Sequence, residues 1–99
     1  MSLEVNARLS QIARHEGVQG VLVISHEGIV IKSYNIMDEE TINHYAYISL
    51  QLAKKAKEII NDLAEADLEV LRMKSGEMEY VLSFEHDYVL LAVYKQTKL

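Results

Sequence analysis

The run from Gly17 to Ser33, Gly-Val-Gln-Gly-Val-Leu-Val-Ile-Ser-His-Glu-Gly-Ile-Val-Ile-Lys-Ser, ties the chain to a fold built on a buried β-hairpin. Two β-rich runs, Val18 to Ile24 and Ile29 to Ser33, flank Ser25-His26-Glu27-Gly28, and Gly28 supplies the positive φ that a tight turn needs. Val21, Leu22, Val23 and Ile24 are apolar without alternation, which places the first strand inside a sheet covered on both faces. Gly17 and Gly20 read as turn and close-packing glycines, because neither G-x-G-x-x-G nor G-x-x-x-x-G-K-[ST] follows a strand.

The remaining elements follow from period and polarity. Val5, Leu9, Ile12 and Ala13 share one helical stripe, with Glu4, Arg8 and Gln11 off it, so a short amphipathic helix ends near Gly17. Asp38 before Glu39-Glu40 is an N-cap signal, and a long helix is predicted from Glu39 to Leu63. Three strands come next: Leu68 to Lys74, Met78 to Phe84 after Ser75-Gly76-Glu77, and Tyr88 to Tyr94 after Glu85-His86-Asp87. The last is apolar throughout and belongs beside the first. Leu68 to Lys74 carries Glu69, Arg72 and Lys74 and belongs at an edge; Met78 to Phe84 alternates as an intermediate strand. The expected fold is α+β: a five-stranded, mostly antiparallel sheet in the order α-β-β-α-β-β-β, the short helix on one face and the long helix on the other.

At 99 residues the chain reads as a single domain spanning 1–99, burying roughly 60 to 70% of its unfolded surface. It has no cysteine, which removes disulfides, thiolate metal sites and thiol nucleophiles. A formal net charge of −5 and scattered lysines argue against nucleic acid as a partner. No segment approaches eighteen apolar residues and the N-terminus lacks a signal-peptide core, so no membrane insertion and an intracellular location are expected. His15, His26, His44 and His86 have no H-x-H or H-E-x-x-H spacing, and Ser25-His26 lacks the G-x-S-x-G context of a nucleophile elbow. No catalytic site, metal or cofactor is therefore expected, and the chain is read as not an enzyme.

Two apolar surpluses point to protein partners. On a helical wheel Ile42, Tyr45, Ala46, Ile48, Leu50, Leu52, Ala53, Ala56, Ile59, Ile60 and Leu63 spread over roughly 200°, twice what one sheet covers. The Ile42, Ala46, Ala53, Ile60 side suits the sheet, leaving Tyr45, Ile48, Leu52 and Ile59 for a second interface. Exposing those four would forgo about 6 to 12 kcal/mol, as an upper estimate. An antiparallel second copy of the helix would bury them, although a helix sunk into a monomeric core would too. On the other face the last strand also needs cover, yet Lys95 to Leu99 is too short for a stable helix, so a groove beside Val5, Leu9 and Ile12 is a docking candidate for an amphipathic partner helix.

Gly17-Val18-Gln19-Gly20, Glu27-Gly28-Ile29 with Ile31-Lys32-Ser33, Tyr45-Ala46, Asp67-Leu68, Leu71-Arg72, Glu79, Val81 and Asp87-Tyr88 together resemble the roadblock/LC7 family of dynein light chains. The match runs in one order over nearly the whole chain. It implies the roadblock/LC7 (profilin-like) fold and a homodimer joined by the long helices and the third strands, with Leu68, Val70 and Arg72 along the seam. It further implies a noncatalytic light chain of the cytoplasmic or axonemal dynein motor, cytoplasmic and cytoskeleton-associated, that binds intermediate-chain segments and links motor to cargo. The dynein members usually carry proline where this chain has Val30. The alternative is a roadblock-fold scaffold or regulator of a small Ras-like GTPase, engaged on the two-helix face of a dimer.

Overall fold

The computed structural model describes residues 3–36, 38–63 and 66–96, with side chains from Asn6 onward in the first helix. The elements are α1 (Leu3–Ala13), β1 (Val18–Ile24), β2 (Val30–Tyr34), α2 (Glu39–Leu63), β3 (Val70–Ser75), β4 (Met78–Phe84) and β5 (Val89–Lys95). This is the expected order. The long helix and the fourth strand have the expected bounds, while β2, β3 and β5 begin one or two residues later.

The five strands form one sheet in the order β2-β1-β5-β4-β3, antiparallel at every junction. The two apolar strands, β1 and β5, are neighbours near its centre, and the charged β3 is an edge, as their polarity requires. Side chains directly opposite one another share a face. Leu22, Leu91, Leu82 and Leu71 are cross-strand partners and face α2; Val21, Ala92, Val81 and Arg72 form the parallel row on the α1 face.

Each face has its own core. Leu9 of α1 packs with Val21, Val23, Tyr88, Leu90 and Ala92, with Ile12 at the margin. On the opposite face Ala46 of α2 packs with Leu22, Ile24, Leu82, Val89, Leu91 and Val93. The continuous apolar reading of β1 is explained by this double coverage, since Val21 to Ile24 are all buried.

The β1–β2 turn is held at Ser25. Its backbone N–H donates to the Ile29 carbonyl (2.8 Å), its carbonyl accepts from Gly28 (3.0 Å), and its hydroxyl accepts from the Ile29 N–H (3.1 Å). Gly28 has φ 91°, and a Cβ there would lie 2.9 Å from Leu50 Cδ2, so the absent side chain also lets α2 approach the turn. Gly20 serves a second close approach: a Cβ there would sit 2.4 Å from Ile36 Cγ1.

α2 starts where its cap dictates. Asp38 Oδ2 accepts from the Thr41 N–H (3.1 Å) and hydroxyl (2.6 Å), while the Asp38 carbonyl accepts from Ile42. The Thr41 hydroxyl bond, then its backbone N–H, holds the Asp38 carboxyl below its usual range. A folded-state value lower than the unfolded one gives stability that is present above the unfolded value and lost as pH falls through the folded one. Acid denaturation of the wild type will therefore show a contribution from Asp38 in the low carboxylate range. In Asp38→Asn that part of the pH slope will be missing, which stability measured against pH will show.

The buried centre makes a second prediction. Leu22→Ala will destabilise the fold by about 2 to 5 kcal/mol in chemical denaturation, whereas Ile29→Ala, at a side chain 66% exposed, will change it by about 0.5 kcal/mol or less.

Candidate interaction surface

α2 lies off-centre on its face of the sheet, nearest β1 and β2. Ala46, Ser49 and Ala53 are its buried positions, and their small side chains bring the helix axis close to the sheet. The apolar pattern predicts that line as Ile42, Ala46, Ala53 and Ile60; Ser49, buried to 2% exposure, is absent from it because a serine breaks the pattern. The off-centre seat leaves an apolar cleft of about 300 Å³ between α2 and the far half of the sheet. His44, Tyr45, Ile48 and Leu52 form its helix wall, and Met73, Tyr80 and Leu91 form its floor.

The four helix residues expected at a second interface divide into two pairs. Tyr45 and Leu52 are half-buried and already pack partly against the core, on the wall of this cleft. Ile48 is 38% and Ile59 51% exposed, and Leu63 at the end of the helix is 75% exposed. The surplus apolar arc is thus narrower than the wheel implies, because the open cleft lets Tyr45 and Leu52 lean onto the sheet.

The strand residues are distributed differently from expectation. β3 is an edge of six residues with unbroken register to β4. Val70 and Arg72 project to the α1 face, opposite to the helix stripe, and Arg72 Nη1 lies 4.0 Å from Glu79 Oε1. The β3 side chains that share the α2 face are Leu71 and Met73, which the alternation of Leu71-Arg72-Met73-Lys74 could have identified. Leu68 precedes the strand. It lines a second cleft at the other end of the sheet, with His26, Lys57, Ile60 and Phe84, so it does not share the edge with Val70.

The groove expected beside α1 is largely closed. Leu9 is 4% exposed and holds the helix to the sheet, and Ile12 packs against the same cluster; the Val5 side chain lies outside the described residues. The more open part of that face is its β3–β4 half, where Val70 is 46% exposed.

The polar groups mostly brace turns. His26 Nε2 lies 3.0 Å from the His86 carbonyl and ties the β1–β2 turn to the β4–β5 turn. Arg8 Nη2 pairs with Glu85 at 2.9 Å across the same end. His15 Nδ1 is 3.3 Å from the Tyr94 hydroxyl, and the two rings stack with centroids 6.5 Å apart. Burial pushes the Tyr94 phenol upward. Among the described residues no cluster of His, Asp or Glu has the arrangement of a metal site, and no helix is long and apolar enough to cross a membrane.

The architecture has counterparts among solved structures. A Roadblock/LC7 domain from Streptomyces avermitilis superposes with a TM-score of 0.79 at 13% identity, over 91% of this chain and 74% of that one. MglB from Myxococcus xanthus matches at 0.78 and 15% identity, over 98% of this chain and 80% of that one. The gliding protein MglB from Thermus thermophilus matches at 0.78 and 16%, over 91% and 70%. Such identities speak for the fold alone. The sequence itself matches the model of the Roadblock/LC7 domain over residues 4–95, and the chain therefore belongs to the Roadblock/LC7 family.

Proposed function

We propose that this chain is a noncatalytic, homodimeric platform that holds a protein partner, with a small Ras-like GTPase as the partner class. The observation that carries the proposal is the row of exposed Ile48, Ile59 and Leu63 beside an apolar cleft, on a helix flanked by an open edge strand. In the proposed dimer a second α2 packs antiparallel against Tyr45, Ile48, Leu52 and Ile59, and the two β3 edges meet across the same two-fold axis. Completing the burial of Ile48, Ile59 and Leu63 is worth about 2 to 5 kcal/mol per protomer, as an upper bound. Strand pairing adds main-chain hydrogen bonds. The paired helices then present one continuous outer surface to a partner, and binding acts through buried area instead of covalent chemistry.

Val30 supports the GTPase branch over the dynein branch, since dynein members usually carry proline at this point of the hairpin. A dynein light chain that binds an intermediate-chain segment, in the cytoplasm and on the cytoskeleton, is the second reading. The half-open β3–β4 strip around Val70 on the α1 face favours it, because an amphipathic segment could lie there.

Sedimentation of the wild type at micromolar concentration will give twice the 11.3 kDa chain mass, and Ile59→Asp will weaken the dimer by about 100-fold or more. A wild type that stays monomeric refutes the platform. Ras-like GTPases loaded with a non-hydrolysable GTP analogue or with GDP, measured beside intermediate-chain peptides, separate the branches. Nucleotide-dependent binding that weakens on substitution of exposed α2 residues is the expected result; binding of the peptides alone would transfer the assignment to the dynein branch.

A further inference from the structure

The solvent side of α2 carries a second, separate pattern. Tyr47 is 63% exposed there, a large aromatic on an otherwise polar stripe. Glu40 lies seven positions before it and Lys54 seven after it, both exposed. Seven residues are within about 20° of two full turns, so the three side chains form one nearly straight row, acid, aromatic and base, spaced about 10.5 Å apart along the axis. Asn43 and Gln51, uncharged, flank Tyr47 on opposite sides of the row. The row lies about 120° around the helix from the Ile48 and Ile59 seam.

Neither end of this row is neutralised by another described residue. Glu58, the next acid along, is 3.7 Å from Lys55, which occupies both of them; among the described residues Glu40 and Lys54 are in no ion pair. The row is also its own complement. Turn a second α2 antiparallel about a two-fold axis beside Tyr47: Tyr47 meets Tyr47 of the second copy, Glu40 meets its Lys54, and Lys54 meets its Glu40. Two opposite-charge pairs and one aromatic pair form at a single isologous contact, with no like charges opposed within the row.

We infer that the outer face of α2 is a second self-association surface, at which another copy of this chain docks antiparallel through Glu40, Tyr47 and Lys54. It is independent of the Ile48 and Ile59 seam, so a dimer made by the seam still displays two such rows and assembles further through them. The contact covers the surface on which a protein partner of the dimer would land, and self-association and partner binding therefore compete.

The test uses the full chain with the seam weakened. In Ile59→Asp the outer row is untouched, and sedimentation up to about 1 mM will detect a monomer–dimer equilibrium that responds to the charges at positions 40 and 54, which neither the seam nor the β3 edge does. Adding Glu40→Lys or Lys54→Glu, either of which opposes like charges at both ends, will weaken that equilibrium by about tenfold, and the two together will restore it. Circular dichroism verifies that each variant is folded. An Ile59→Asp protein that stays monomeric throughout, or a double exchange that fails to restore association, overturns the inference and leaves the seam dimer standing. If the wild-type dimer resists Ile59→Asp but dissociates with Glu40→Lys and is restored by the exchange, the outer row is upheld and the seam is refuted.

Discussion

Antiparallel pairing of β1 with β5 is the contact on which the rest of the molecule depends. These two strands supply Val21 to Ile24 and Val89 to Val93, all buried, and their alternating side chains feed both cores at once. Weakening the pair would remove the floor under α1 and under α2 together. The other strands extend the sheet outward: β2 through a tight turn held by Ser25 and Gly28, and β4 and β3 as a meander of falling burial. The sheet is wider than either helix can cover. One helix per face protects the centre and leaves the margins half-open.

From that mismatch the interaction surfaces arise. Small residues at Ala46, Ser49 and Ala53 let α2 settle close to the sheet near β1 and β2. The same seat opens the cleft over Met73, Tyr80 and Leu91 and leaves Ile48, Ile59 and Leu63 partly in water. An unbroken β3 edge lies on that same half of the molecule. A monomer with this distribution has apolar surface and backbone hydrogen-bonding groups left over on one side, and a symmetric partner satisfies both. The polar side of α2 is shaped by charge and not by apolar area, which is why a contact there would be weaker and sensitive to salt.

How much of this is legible in the sequence varies with the physical signal. The run Val21 to Ile24 and the apolar β5 place both strands at the centre because burial on two faces demands it. Asp38 marks the start of α2 because a cap is local chemistry. The faces of β3 are legible only in part: the alternation of Leu71 and Met73 with Arg72 and Lys74 marks the covered α2 side, but Val70, apolar and on the α1 side with Arg72, breaks that pattern at the start of the strand. Leu9 reads as groove lining because its stripe is visible in the sequence but the depth of its contact with Leu90 is not. Ser49 escapes any hydrophobicity pattern, where a buried serine resembles a surface residue. Tyr47 and its charged neighbours are invisible to a wheel that sorts apolar residues, because this row is defined by charge order at a seven-residue spacing.

In the proposed dimer the α2 seam and the β3 edge are covered together by a second copy of the chain. Amide hydrogen exchange followed over a dilution series tests it most directly, because it reads each element separately and needs no substitution. In such a dimer Val70–Ser75 and the 48–63 stretch of α2 will exchange more slowly as concentration rises, in parallel, while the α1 amides keep the same rate. Exchange in β3 and α2 that is independent of concentration, from nanomolar to millimolar, in a chain of monomer mass would contradict it.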